Sequence, residues 1–148
     1  IKGVMRQAGL ARARDQLMLD VQNYDPRGTA AMQRYQVIAQ TEAAITTLTL
    51  PAPGAGLRHY LTYLSINRYA TAAIVASGTP LAVTTTNLPG SLAFTFGTDA
   101  LAQGVVDRWR EDFAFPLVAS AQNTATTVVA PATTSVQWRI TAGFYVAP

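Results

Sequence analysis

The stretch Val136-Gln137-Trp138-Arg139-Ile140-Thr141-Ala142-Gly143-Phe144-Tyr145-Val146 decides the fold. Val136, Trp138, Ile140, Ala142, Phe144 and Val146 alternate with Gln137, Arg139, Thr141, Gly143 and Tyr145, a strict period of two. Successive side chains of a strand point to opposite faces, so this segment turns one apolar face to a core and one mostly polar face outward. Working back from it, short apolar and Thr-rich runs at 43–50, 57–67, 70–77, 81–87, 91–96, 104–113 and 124–130 read as further strands. Their breaks carry turn chemistry, in Pro51-Ala52-Pro53-Gly54-Ala55-Gly56, Ser77-Gly78-Thr79-Pro80, Asn87-Leu88-Pro89-Gly90 and Pro131-Ala132. About eight short strands spaced roughly 8–12 residues apart predict a sandwich or barrel. No amphipathic helix separates the strands, which argues against a parallel βαβ sheet. The expectation is an all-β, antiparallel, jelly-roll-like sandwich over residues 41–148.

The texture before residue 41 is different. Residues 1–40 carry six basic side chains (Lys2, Arg6, Arg12, Arg14, Arg27, Arg34) against Asp15, Asp20 and Asp25, whereas 41–148 carries five of each sign. The whole formal charge of +3 therefore falls in the first zone. Leu10, Ala13, Leu17 and Val21 recur at helical spacing and predict a short helix over about 10–22, ended by Asn23-Tyr24-Asp25-Pro26-Arg27-Gly28. Such a short helix is marginal alone and needs a surface for its stripe. Residues 29–40 read as a second short helix or an extended lead-in. If largely extended, an arm of about 35 residues would reach roughly 100 Å. Arg6, Leu10, Arg12, Arg14, Leu17, Val21, Tyr24, Arg27, Arg34 and Tyr35 are the candidate partner-docking residues of this arm. With acids interleaved and only Tyr24 and Tyr35 to stack on bases, the arm is expected to dock on protein and not on nucleic acid.

Composition narrows the function classes. At 49% hydrophobic residues the chain can fill a core. Its apolar runs are far short of the roughly 18–20 residues needed to cross a bilayer, and residues 1–19, studded with Arg, do not read as a signal peptide. Neither a membrane partner nor a membrane role is expected. Charged residues make up 13%, and Lys2 is the only lysine. Arginine suits bidentate pairing within interfaces, so few charges and few lysines point to a surface covered by neighbours. With no cysteine, disulfides, thiolate nucleophiles and Cys-ligated metals are excluded.

Each route to catalysis meets a plainer reading. His59 is the only histidine, so the common zinc sites cannot form; it reads as structural, or as an interface residue meeting symmetry copies around an axis. Asp107-Arg108-Trp109-Arg110-Glu111-Asp112-Phe113 is the densest charged run. Asp107 and Glu111 would share one strand face with Trp109, while Arg108, Arg110 and Asp112 share the other, which suits ion pairing at a subunit seam better than a hydrolytic carboxylate pair. His59, Arg108, Trp109, Arg110 and Glu111 are therefore the candidate subunit-interface residues. Trp109, with Arg110, Arg139 and Tyr145, also allows a carbohydrate platform, whereas Trp138 falls on the core face. No serine elbow, phosphate cradle or calcium loop is present in the sequence. No catalytic residue, cofactor or metal is expected, and the chain is read as no enzyme.

Three passages point to a family: Leu57-Arg58-His59-Tyr60-Leu61-Thr62-Tyr63-Leu64-Ser65-Ile66; Thr84-Thr85-Thr86-Asn87-Leu88-Pro89-Gly90; and Asn123-Thr124-Ala125-Thr126-Thr127-Val128-Val129-Ala130-Pro131-Ala132 leading into Val136-Gln137-Trp138-Arg139-Ile140. They resemble tailed-phage virion proteins of jelly-roll type, the small capsid decoration (cement) proteins or head-fibre bases, over about residues 45–148. The resemblance implies a homotrimer on the capsid surface, assembled in the host cytoplasm, with the major capsid protein or another virion protein as partner. A receptor- or glycan-binding jelly roll of a phage tail or fibre is the alternative; it expects Trp109 or loop tyrosines exposed beside a polar cleft. An enzyme with an inter-subunit site at His59, or at Asp107 and Glu111, is the third reading.

Overall fold

The computed structural model describes residues 34–39 and 42–148. The chain divides into units 1–32 and 33–148. The expected helix over 10–22 and the arm residues Arg6, Leu10, Arg12, Arg14, Leu17, Val21, Tyr24 and Arg27 lie outside the described residues. Eight strands follow in order: β1 (Arg34–Ala39), β2 (Thr46–Leu50), β3 (Arg58–Ala70), β4 (Leu81–Thr86), β5 (Ala93–Phe96), β6 (Val106–Val118), β7 (Thr126–Ala130) and β8 (Val136–Ala147). They form two four-stranded sheets, β1-β8-β3-β6 and β2-β7-β4-β5, and every pairing is antiparallel. The chain passes from sheet to sheet at every step but β4–β5, the jelly-roll arrangement of two Greek keys. Among the described residues no helix is long and apolar enough to cross a membrane.

The period-two reading of β8 holds through Ala142. Val136, Trp138, Ile140 and Ala142 are buried, while Gln137, Arg139 and Thr141 face out. Trp138 is fully buried and donates its indole N–H to the Pro131 carbonyl at 3.0 Å. Its ring meets Phe96 of the other sheet edge-on at 5.5 Å, and Phe96 and Phe94 both pack on Trp109. Leu48, Leu50, Val83 and Val128 from one sheet close on Leu61, Leu64, Ile66 and Ile140 from the other. Each such side chain contributes about 1.5–3 kcal/mol when withdrawn from water.

Three elements differ from the sequence reading. Residues 57–67 and 70–77, expected as two strands, yield one, β3, which stops at Ala70; residues 71–80 form a loop joined to its neighbour by an isolated bridge, Ile74 to Leu101. β3 also carries a bulge at Thr62. Leu61 pairs with Phe144 and Tyr63 with Gly143, so one extra residue reverses the alternation and puts both Leu61 and Leu64 inside. On the other flank the chain swells further: Leu61 pairs with Leu117 and Tyr63 with Asp112, leaving residues 113–116 opposite Thr62 alone. This excursion carries β6 on to Val118, beyond the expected end at 113. Finally, the sandwich begins before residue 41. Arg34 and Tyr35, counted with the arm, lie in β1, which pairs with β8 from Arg34 opposite Phe144 to Ala39 opposite Arg139. Its Ile38 packs against the core and its Tyr35 is exposed.

Candidate binding face

Strand register places the outward side chains of the sheet β1-β8-β3-β6 in rows. Gln137, Tyr69 and Val106 form one row across β8, β3 and β6; Arg139, Asn67 and Arg108 form the next; Thr141, Ser65 and Arg110 the third. Tyr63 and Asp112 follow, and beyond the bulge Tyr60 stacks on Tyr145 with centroids 4.9 Å apart. Arg110 and Asp112, two residues apart on the same face, form a two-point ion pair at 2.8 and 3.0 Å. The Arg110 guanidinium also lies over the Tyr63 ring, 4.3 Å from its centroid. The hydrogen bond from Arg110 holds the Asp112 carboxyl below its ordinary range and raises Arg110 in return.

The two upper rows enclose a groove of about 260 Å³ lined by Asn67, Tyr69, Val106, Arg108, Gln137 and Arg139. Arg108 and Arg139 are both exposed and flank Asn67 from opposite strands. Among the described residues neither forms an ion pair. Two acids of β6 are already engaged: Asp112 holds Arg110, and Asp107, on the inner side of β6, holds Arg68 at 3.1 Å. Arg68 is itself 2% exposed, donates to the Gly97 carbonyl at 2.8 Å, and leaves its Nε without a partner.

The five residues expected at a subunit interface do not share one surface. Arg108 and Arg110 lie on the outer face and Glu111 is exposed. Trp109 faces inward and packs on Phe94 at 4.5 Å, so it is no exposed sugar platform. His59 is 1% exposed and sits at the far end of β3. Its Nε2 lies 2.9 Å from the Pro51 carbonyl, which can only accept, so Nε2 carries the proton and Nδ1 accepts from the Thr126 hydroxyl at 2.9 Å. Thr126 in turn accepts from the Asn87 amide at 3.2 Å, and Asn87 also bonds the backbone of Ala121 and Thr124. Burial lowers the His59 pKa below its ordinary value; the Pro51 hydrogen bond opposes this and the Arg34 charge adds to it. Both ring nitrogens are thus engaged inside the chain. Its network ties together β2, β3, β4 and β7 at one end of the sandwich.

Asn67, Tyr69 and Gln137 were not singled out in the sequence. Each is an ordinary outward residue of its strand, and only the register sets Asn67 between two arginines. Among the described residues no group of three or more His, Asp or Glu is placed to hold a metal.

No protein-family model and no curated protein matches this chain. Among solved structures it is similar to a chain of the cyanophage Pam1 capsid asymmetric unit, with TM-score 0.44 and 16% identity over 80% of this chain and 87% of that one. It is also similar to the extra small virus particle of the giant freshwater prawn Macrobrachium rosenbergii (TM-score 0.34, 12% identity, 78% and 79% covered). A family 29 carbohydrate binding module from Piromyces equi follows, with TM-score 0.31 and 8% identity over 80% and 79%.

Proposed function

We propose that the chain is a structural virion protein, a homotrimeric decoration (cement) protein that caps coat subunits and docks through the residues ahead of the sandwich. The reading assigns it no catalytic step, places it on the capsid surface, and has it assembled in the host cytoplasm. Jelly rolls recur in viral capsids and in lectins, so topology alone supports either a shell component or a binding module. The observation that carries the shell reading is the edge of β6. Its length bears Arg108, Arg110, Glu111 and Asp112, swells at 113–116 with Pro116 at the end of the bulge, and ends in Leu117 and Val118. Charges, a bulge and a proline all prevent an open edge from pairing with another strand. A subunit that must join a closed ring without running on into fibres needs such an edge. Contacts then fall to side chains, and the bulge presents Phe115 87% exposed, with Val118 beside it at the end of the strand.

Light scattering on the full chain tests this, with Phe115→Asp as the variant. A trimer mass that falls to the monomer in Phe115→Asp, with an unchanged melting temperature, supports it, as does co-sedimentation of the wild type with coat lattices. A chain that stays monomeric at high concentration and ignores coat lattices is not a cement protein.

The second reading, a receptor- or glycan-binding jelly roll of a tail or fibre, is favoured by the groove between Arg108 and Arg139. The trimer contact need not cover that groove. Thr62, opposite the bulge, is five residues of β3 from Asn67, roughly 17 Å at about 3.3 Å per residue.

A further inference from the structure

We propose that the groove over Asn67 binds a saccharide carrying a carboxylate, a uronic- or sialic-type sugar, with Arg108 and Arg139 gripping the acid group. The proposal rests on the second reading of function and gives it a ligand class.

The charge argument comes first. Strands lie about 4.8 Å apart, so the Arg108 and Arg139 backbones on either side of β3 are separated by about 10 Å. Two long side chains at that spacing can converge on one group above Asn67. No described residue forms an ion pair with them: Asp112 is held by Arg110, Asp107 by Arg68 on the opposite side of the sheet, and Glu111 stands opposite Leu64 in the inward register. Like charges in one row repel, and an anion seated between them relieves that repulsion. The guanidinium fork pairs two-pronged with carboxylate.

The rest of the lining says what the anion is attached to. Asn67 and Gln137 each offer a carbonyl acceptor beside their amide donors. A phosphate or sulfate at neutral pH has little to donate to those acceptors; sugar hydroxyls both donate and accept. The Tyr69 ring, 38% exposed, stands between Val106 and Gln137 and offers a flat wall for the C–H face of a pyranose. The groove, about 260 Å³, has room for about one sugar ring. The acceptors of Asn67 and Gln137 and the Tyr69 wall thus point to an acidic saccharide, and an acidic peptide is left to the test.

Isothermal titration of the full chain with oligogalacturonate, a sialyl-oligosaccharide, a neutral oligosaccharide of matched length and polyglutamate tests the assignment. At least one acidic sugar is expected to bind about tenfold or more tightly than the neutral one, as a charge-assisted hydrogen-bonded pair implies, and to weaken as salt rises. Arg108→Gln and Arg139→Gln each weaken it by a similar factor, while Arg110→Gln, whose partner is Asp112, changes it less than about twofold. Melting temperatures of all three variants establish that the fold is intact. Equal affinity for neutral and acidic sugars overturns the carboxylate assignment and leaves the glycan reading standing. Polyglutamate bound as tightly as any sugar overturns it in favour of an acidic protein segment. No binding to any of the four overturns both the assignment and the glycan reading.

Discussion

The sheet β2-β7-β4-β5 turns outward Thr47, Thr49, Thr84, Thr86, Thr95 and Thr127, with not one charged side chain in its four strands. The sheet β1-β8-β3-β6 turns outward Arg108, Arg110, Arg139 and Asp112 together with Tyr35, Tyr60, Tyr63 and Tyr69, Tyr60 lying stacked on the buried Tyr145. Both are one layer of the same sandwich with the same core beneath, so folding alone does not require the contrast. Threonine is the bland solution: it is β-branched, it suits a pleated surface, and its hydroxyls satisfy one another, as Thr86 and Thr127 do at 2.7 Å. Arginines and tyrosines cost more to order and bring specific hydrogen-bonding directions. The difference points recognition to the arginine–tyrosine face and leaves the threonine face as scaffold.

The comparison assumes that the two faces belong to one cooperative unit, and Trp138→Ala tests that assumption with the largest expected effect. The ring belongs to the arginine–tyrosine sheet but packs on Phe96 of the threonine sheet, so its loss opens a cavity shared by both. A cost of about 3–5 kcal/mol is expected, read as a lower urea midpoint in a single transition. Two separate transitions would mean that the faces rest on separable sheets.

Asn87→Ala comes next. Asn87 holds φ 60°, and its amide bridges the loop after β6 to Thr126 of the threonine sheet. Removing it leaves several polar groups unpaired and forces alanine into a left-handed backbone, together about 2–3 kcal/mol. Asn87→Gly separates the two causes, recovering the backbone part alone. Equal melting temperatures for the alanine and glycine variants would show that only the lost hydrogen bonds matter.

How much of this was legible in the sequence follows from what each feature depends on. Burial alternation is local, so β8, β2 and β7 could be read from their own residues. Expectation and structure agree on eight strands only because two differences cancel: β1 is not expected, and the loop at 71–77 reads as a strand. β1 sets Val37 next to Ile38 in sequence, which hides a period of two, and Ile74-Val75 read as part of a strand although only an isolated bridge, Ile74 to Leu101, forms there. The groove was less legible still. Arg108, Asn67 and Arg139 come from three distant parts of the chain, and their adjacency exists only in the register. Trp109 beside arginines looked like an exposed platform because its partners Phe94 and Phe96 lie on the other sheet.

Acidity discriminates between the end that ties the sheets together and the faces themselves. His59 is neutral in the fold, its pKa lowered first by burial from the ordinary value of 6.5. As pH falls through that value, the unfolded chain takes up a proton that the folded chain refuses. The stability contributed by the neutral ring is therefore complete above about pH 6.5, declines below it, and levels off beneath the folded pKa. The slope from one such group is at most about 1.4 kcal/mol per pH unit. Urea midpoints between pH 7.5 and 5.5 should fall for the wild type and stay flatter for His59→Gln. An equally steep fall in both would place the titration elsewhere.

The smallest effects are expected on the outer faces, and they sharpen the comparison most. Thr84→Ala removes one exposed hydroxyl from a row of threonines and should move stability by no more than about 0.5 kcal/mol. Arg110→Ala should leave the melting temperature nearly unchanged, because its pair with Asp112 is largely in solvent and screened by salt. The two faces then look alike by stability and differ only in what binds. Arg110 also covers the Tyr63 ring, so its removal exposes an aromatic surface next to the groove without touching the groove's own arginines. A drop in melting temperature for Arg110→Ala matching that of Asn87→Ala would make the charged face a structural device, and the reason for reserving it for a ligand would be gone.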